Sequence, residues 1–321
     1  MRRLTLRGLR ARAQDERGAV GVMVALLLVP LLAIAAIAVD VSALYSDRQQ
    51  LRNAADAAAL AIAADCARGA CGNGVATATA GLDGNTGAAR TADATVRTPQ
   101  VSVSGRTVTV TTSADQAHWF APVLGQDSSR VTATSTAVWA PTTLGRADFP
   151  LIISYCEWKG QVDRRPLNTP DGPPMRINAT TRLGDTCIGP SGPTLSGYAV
   201  TAPDDARVCR TTGSLGSWVR QFSSMFSDRL PATCSASYLG SLIGSTILIP
   251  VWDQVRGTYP NVEARIYGYS AFYITGYDVW ASDPALLGYF TYGAQISDAT
   301  TTSTTPAPDL GARSVLLTEQ R

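Results

Sequence analysis

The chain has 321 residues, 27 basic and 25 acidic side chains and a formal net charge of +2, which is length enough for two domains of ordinary size. Six arginines (Arg2, Arg3, Arg7, Arg10, Arg12 and Arg17) stand against Asp15 and Glu16 in the first 17 residues, leaving 21 basic and 23 acidic residues beyond them. That near-neutral remainder, without a basic cluster, argues against a nucleic-acid partner.

Gly18 to Val39 is 22 residues without a charge. As a helix rising about 1.5 Å per residue it just crosses a hydrocarbon layer of roughly 30 Å. The flanking arginines favour a cytoplasmic N-terminus on anionic lipid and place everything from Asp40 onward outside, in a single-pass cell-membrane protein. A cleaved secretory signal is the competing reading, since Ala36-Ile37-Ala38 has a small-x-small look. Signal cores run about 7–15 residues, however, and this stretch is longer. A type IV prepilin signal would put Gly ahead of Glu, whereas here Glu16 precedes Gly18.

From Val41 to Ala64 the sequence is alanine-rich and free of Gly and Pro, so the helix is expected to continue as a stalk to about Gly69. Val41, Leu44, Leu51, Ala55, Ala58 and Ile62 form one apolar face, interrupted by Arg48. Asp47, Gln49, Gln50, Arg52 and Asp56 fall opposite. Residues 69 to 93 read as loop or weakly ordered crossing. Val101 and Val103, the turn Ser104-Gly105-Arg106, then Val108 and Val110 predict a β-hairpin. Ala114 to Leu124 reads as a short helix stopped by Gly125, and Val131 to Trp139 as a further strand. The expected first exterior domain, residues 40–142, is thus a long helix on a small antiparallel sheet, a pilin-like arrangement.

Pro141 to Gly145 looks like a boundary. In the second domain, 146–297, apolar runs at Phe149–Ile153, Ser245–Trp252 and Val262–Trp280 predict strands. The last is apolar on both faces from Ile266 to Tyr277, with Gly268 or Gly276 available for a bulge. The Thr/Pro-rich segment 298–321 is expected to be disordered. The overall class is α+β: a transmembrane and stalk helix on a small sheet, then a β-rich, disulfide-stapled domain.

All six cysteines, Cys66, Cys71, Cys156, Cys187, Cys209 and Cys234, fall on the expected exterior side, where thiols oxidise. Six allow 15 pairings; a local scheme joins Cys66 to Cys71, Cys156 to Cys187 and Cys209 to Cys234. No C-x-x-C occurs and His118 is the only histidine, which disfavours zinc.

The residues Glu16-Arg17-Gly18-Ala19-Val20, then Val39-Asp40-Val41 and Tyr45, then Leu51 to Ala61 with its Asn53-Ala54-Ala55-Asp56-Ala57-Ala58-Ala59-Leu60 run, resemble the N-terminal module of TadG-like proteins. These belong to the Flp/Tad pilus-assembly group. Pro150 to Trp158 and Ile249 to Asp253 resemble the exterior region of actinobacterial relatives. The resemblance implies an envelope-anchored, non-enzymatic accessory of a Tad pilus or secretion apparatus. Its implied partners are the pilin and TadE-like proteins. No catalytic residue, cofactor or small-molecule substrate comes with it.

No nucleophile motif accompanies His118, and no G-x-S-x-G, P-loop or G-x-G-x-x-G occurs. Asp204-Asp205 reads as a solvated turn and Asp253 as a strand-end residue. Tyr267, Tyr269, Phe272, Tyr273, Tyr277 and Trp280 read as core packing in preference to a ligand groove. Asn178-Ala179-Thr180 fits a glycosylation sequon. An envelope-polymer binding module or hydrolase in residues 146–297, and a processed minor pilin, are the alternatives to a structural pilus-assembly component.

Overall fold

The computed structural model describes residues 8–85, 94–178, 186–201, 203–205, 207–222, 233–258, 261–278, 285–297 and 306–318. In chain order these form α1 (Gly8–Ala67), α2 (Gly74–Asn85), β1 (Ala94–Val96), β2 (Gln100–Ser104), β3 (Thr107–Ala117), a 3-10 turn at Ala121–Leu124, β4 (Ser128–Pro141), β5 (Leu144–Ala147) and β6 (Leu151–Ser154). Next come α3 (Tyr155–Arg164), β7 (Met175–Asn178), β8 (Thr186–Gly189), β9 (Gly192–Leu195), β10 (Tyr198–Thr201), β11 (Thr211–Ser214) and β12 (Trp218–Phe222). The chain ends with α4 (Ala236–Ser241), β13 (Thr246–Arg256), β14 (Glu263–Asp278), β15 (Ala285–Thr291), β16 (Gly293–Ile296) and β17 (Ala312–Thr318). The class is α+β.

Two compact units emerge: residues 1–57, 78–100 and 110–134, and residues 58–77, 101–109 and 135–321. The chain does not part at Pro141–Gly145, because α1, β3 and β4 each contribute to both units.

In the first unit, none of Val20 to Val39 is buried. A helix apolar all round and unburied needs apolar surroundings, and this one is long enough to cross a membrane. Farther along, Leu51 and Ala54 pack on Ala114, Val131 and Ala133, with Leu82 of α2 beside them. The alanine face brings the helix backbone within reach of the sheet. The Thr112 hydroxyl lies 3.1 Å from the Leu51 carbonyl and 3.3 Å from the Ala133 carbonyl. β3 alternates half-buried and buried positions along its whole length, as a sheet covered on one side requires. The buried helix face differs slightly from the expected one. Asp47 and Gln50 are half-buried while Val41 is exposed, because the stripe follows Leu44, Asp47, Leu51 and Ala54.

The expected loop at 69–93 contains α2 instead. Asn73 starts it, accepting from the Ala76 N–H with its side chain and from the Thr77 N–H with its carbonyl. This cap compensates for weak Gly and Thr helix formers; residues 86–93 lie outside the described set. Ala114 to Leu124 is likewise no helix: β3 continues to Ala117, and only the last four residues form a 3-10 turn. Gly125, at φ 83°, closes that turn as expected.

In the second unit β2 and β3 form the predicted hairpin about Gly105. The main sheet runs β12-β10-β6-β13-β14-β15-β7, and β12 also pairs with β14. Five strands therefore close into a ring, β12-β10-β6-β13-β14. Each strand contributes to one cluster: Val219, Ala199, Ile152, Trp252 and Ala264. β14 is central and covered on both faces, with Phe272 and Ile274 in one cluster and Ile266, Tyr269 and Ala271 in another. Its pairing shifts register beside Gly268 and at Gly276, as bulges do.

The 298–321 segment contains a strand where disorder was expected. β17 pairs antiparallel with β4 from Arg313↔Pro141 to Thr318↔Thr136, and β16 joins β17 in parallel. The apolar Val315, Leu316 and Leu317 follow the Thr/Pro run and supply the strand. Residues 298–305 are not described. The disulfides are Cys66–Cys71, Cys156–Cys187 and Cys209–Cys234. The first closes the turn after α1; the second and third span 31 and 25 residues.

Candidate functional site

The most distinctive polar arrangement in the first unit surrounds Asp40, the residue that ends the uncharged stretch. Although it sits on α1, its side chain is only 6% exposed. Its carboxylate accepts three consecutive backbone N–H groups: Trp119 at 3.0 Å, Phe120 at 3.2 Å and Ala121 at 2.8 Å. A strand-to-strand loop is thereby clamped onto the side of the helix.

Further backbone donors of the loop bond within it or at its base. Val123 N–H goes to the Phe120 carbonyl, Gly125 N–H to Pro122, Gln126 N–H to Ala121, and His118 N–H to Asp127. Pro122 has no N–H to satisfy. The loop's side chains behave oppositely: Trp119 is 68% exposed and Val123 90%. With Leu32, Ala36 and Val39 of α1, Phe120 and Val123 line an open apolar crevice of about 530 Å³.

His118 sits at the loop's base, Nε2 2.8 Å from the Ser129 hydroxyl, and serves as a strand-end pin. Asp115, two residues before the end of β3, lies between Arg97 and Arg130, whose Nε atoms donate at 2.8 and 2.9 Å. These hydrogen bonds, Arg130's first, hold its carboxyl below the ordinary range.

In the second unit Asp253 is not at a strand end. It is fully buried inside β13, bound by Arg265 Nε at 3.1 Å and Nη2 at 2.6 Å, and by the Ser191 hydroxyl at 2.5 Å. A buried carboxylate needs such partners, and these tie β14 and the β8–β9 turn to β13. Asp204 accepts from the Thr212 N–H and hydroxyl, and Asp205 from the Arg207 N–H, so the pair shapes a loop.

The aromatic residues are distributed through the core. Phe272 meets Phe290 edge-on, Tyr273 stacks on Tyr289, and the Tyr269 hydroxyl donates to the Gly213 carbonyl at 2.6 Å. Burial raises the Tyr269 and Tyr198 hydroxyls far above their ordinary range. Trp280 and residues 179–180 of the sequon lie outside the described residues.

Sequence reasoning missed the Trp119–Leu124 loop as a feature. Its signal was present as six consecutive uncharged, mostly large apolar residues between polar strand ends. Asp40 was noticed only as the close of the span, because its partners lie 79 to 81 residues away.

No curated protein and no solved structure matches the chain. A family model does match, described as putative Flp pilus-assembly TadE/G-like, over residues 18–65. The matched segment is α1 from the start of the apolar stretch through the alanine face and includes Asp40. The likeness to TadE/G-like Flp pilus-assembly proteins rests on these residues, 48 of the chain's 321.

Proposed function

We propose that the protein is a membrane-anchored structural component of a Flp/Tad-type pilus or secretion apparatus, with its N-terminus in the cytoplasm and its folded bulk outside. It acts by protein–protein contact and carries out no chemistry of its own. The carrying observation is the TadE/G-like domain on a helix that begins as an unburied apolar span and ends as the packed face of a sheet. The arginine-rich flank supports the orientation, and three disulfides support an oxidising exterior. Pilin and TadE-like proteins are the partners expected of such a component. Deleting the gene should abolish surface pili and adherence, and restoring it should recover both. Wild-type pilus display in the deletion strain would overturn the reading.

A further inference from the structure

We propose that the Trp119–Leu124 loop is a second membrane contact, inserted into the interfacial region of the outer leaflet beside the exit of the spanning helix. This rests on the reading that α1 crosses the bilayer, and it concerns a different segment of the chain. The occupant of the apolar crevice is lipid.

Depth is set by what the loop touches. The crevice lines α1 from Leu32 to Asp40, a nine-residue stretch whose ends lie about 12 Å apart along the helix. If the uncharged stretch ends in the membrane at Val39, a loop held against Leu32 to Val39 shares the depth of the outermost helical turns. It cannot be in water while the helix it touches is in lipid.

The loop's chemistry fits that depth. Backbone placed in hydrocarbon must satisfy its hydrogen bonds without water. Here the donors of Trp119, Phe120 and Ala121 go to Asp40, and those of Val123, Gly125 and Gln126 to carbonyls within the loop. No residue from Trp119 to Gly125 carries a charge. Trp119 and Phe120 are aromatic, and indole side chains favour the boundary between hydrocarbon and headgroups. Along the chain, charge resumes only at Asp115 before the loop and at Asp127 and Arg130 after it. Asp40 is the positioning residue: its carboxylate holds the loop on the helix and removes three donors from lipid.

The test uses the full-length protein in nanodiscs of phosphatidylethanolamine and phosphatidylglycerol. The six native cysteines are paired, so one introduced cysteine carries one nitroxide. Val123→Cys probes the loop, Met23→Cys the span and Thr98→Cys an exposed position of the same unit. The ratio of oxygen to nickel-chelate accessibility at 123 should rise well above that at 98, towards the value at 23. A lipid-like value at 23 with a water-like value at 123 overturns the proposal and leaves the spanning helix standing. Water-like values at both 23 and 123 overturn both. As a check free of new thiols, Trp119→Phe should remove a large share of tryptophan quenching by lipids brominated near the carbonyl. Unchanged quenching overturns the proposal.

Discussion

The two units are stabilised by different means. In the first, the buried helix face is made largely of methyl groups, with Ala54 and Ala55 fully buried. Alanine buries little area per residue, so cohesion there leans on close backbone approach and on placed polar bonds: Thr112 to Leu51, Asp40 to the loop, and Thr111 to Thr134 at 3.1 Å. The second unit buries Trp252, Phe149, Phe272 and Phe290 and adds two disulfides closing long loops. Small side chains suit a helix that must lie flat on a sheet. Large ones suit a unit that must hold a ring of five strands together.

The contrast breaks most visibly at Trp252, whose indole is 1% exposed inside the five-stranded ring. Trp252→Ala should destabilise the second unit by about 3–5 kcal/mol through lost burial and the residual cavity. Urea unfolding followed by tryptophan emission would measure it. A loss below about 1 kcal/mol, the range of surface substitutions and mild core swaps, would mean the ring's interior collapses readily and is not the unit's core.

A smaller effect is expected at Asp40. Asp40→Ala orphans three backbone donors, each worth roughly 1–3 kcal/mol if kept from water. Water can reach part of the freed loop, so the net loss should fall near the low end. The local signature is sharper: hydrogen exchange at the Trp119, Phe120 and Ala121 amides should accelerate while β13 and β14 amides stay protected. Equal acceleration in both units would show that Asp40 acts on global folding and not on the loop.

How much of this could be read beforehand depended on whether the cause was local. The long apolar helix, the hairpin about Gly105 and the central strand β14 each declare themselves through runs or alternation in contiguous residues. β14 is apolar on both faces in the sequence and is covered on both faces in the fold. α2 was missed because one cap, Asn73, outweighs a run of weak helix formers. β17 was missed because its partner strand β4 lies far back in the chain, and no local pattern announces that pairing. The same holds for the clamp: Asp40 and Trp119 are legible separately, and only the fold puts a carboxylate opposite three amides.

The smallest effect should come from acid, and from the first unit. The Asp115 carboxyl titrates below its ordinary value because Arg130 and Arg97 bond its charged form. The unfolded chain then binds the proton more readily than the folded one, so stability rises with pH across the interval between the two values. The contribution is complete above the ordinary carboxylate range near about 4 and is lost as pH falls through the depressed folded value. Both arginines are about half exposed, so the effect should be modest and weakened by salt. Comparing thermal unfolding at neutral and acid pH for the wild type and Asp115→Asn isolates it, since the substitution should flatten the acid limb while leaving the second unit's transition in place. An acid limb unchanged by Asp115→Asn would move the pH sensitivity elsewhere and leave the Arg97–Asp115–Arg130 cluster as a solvated surface triad.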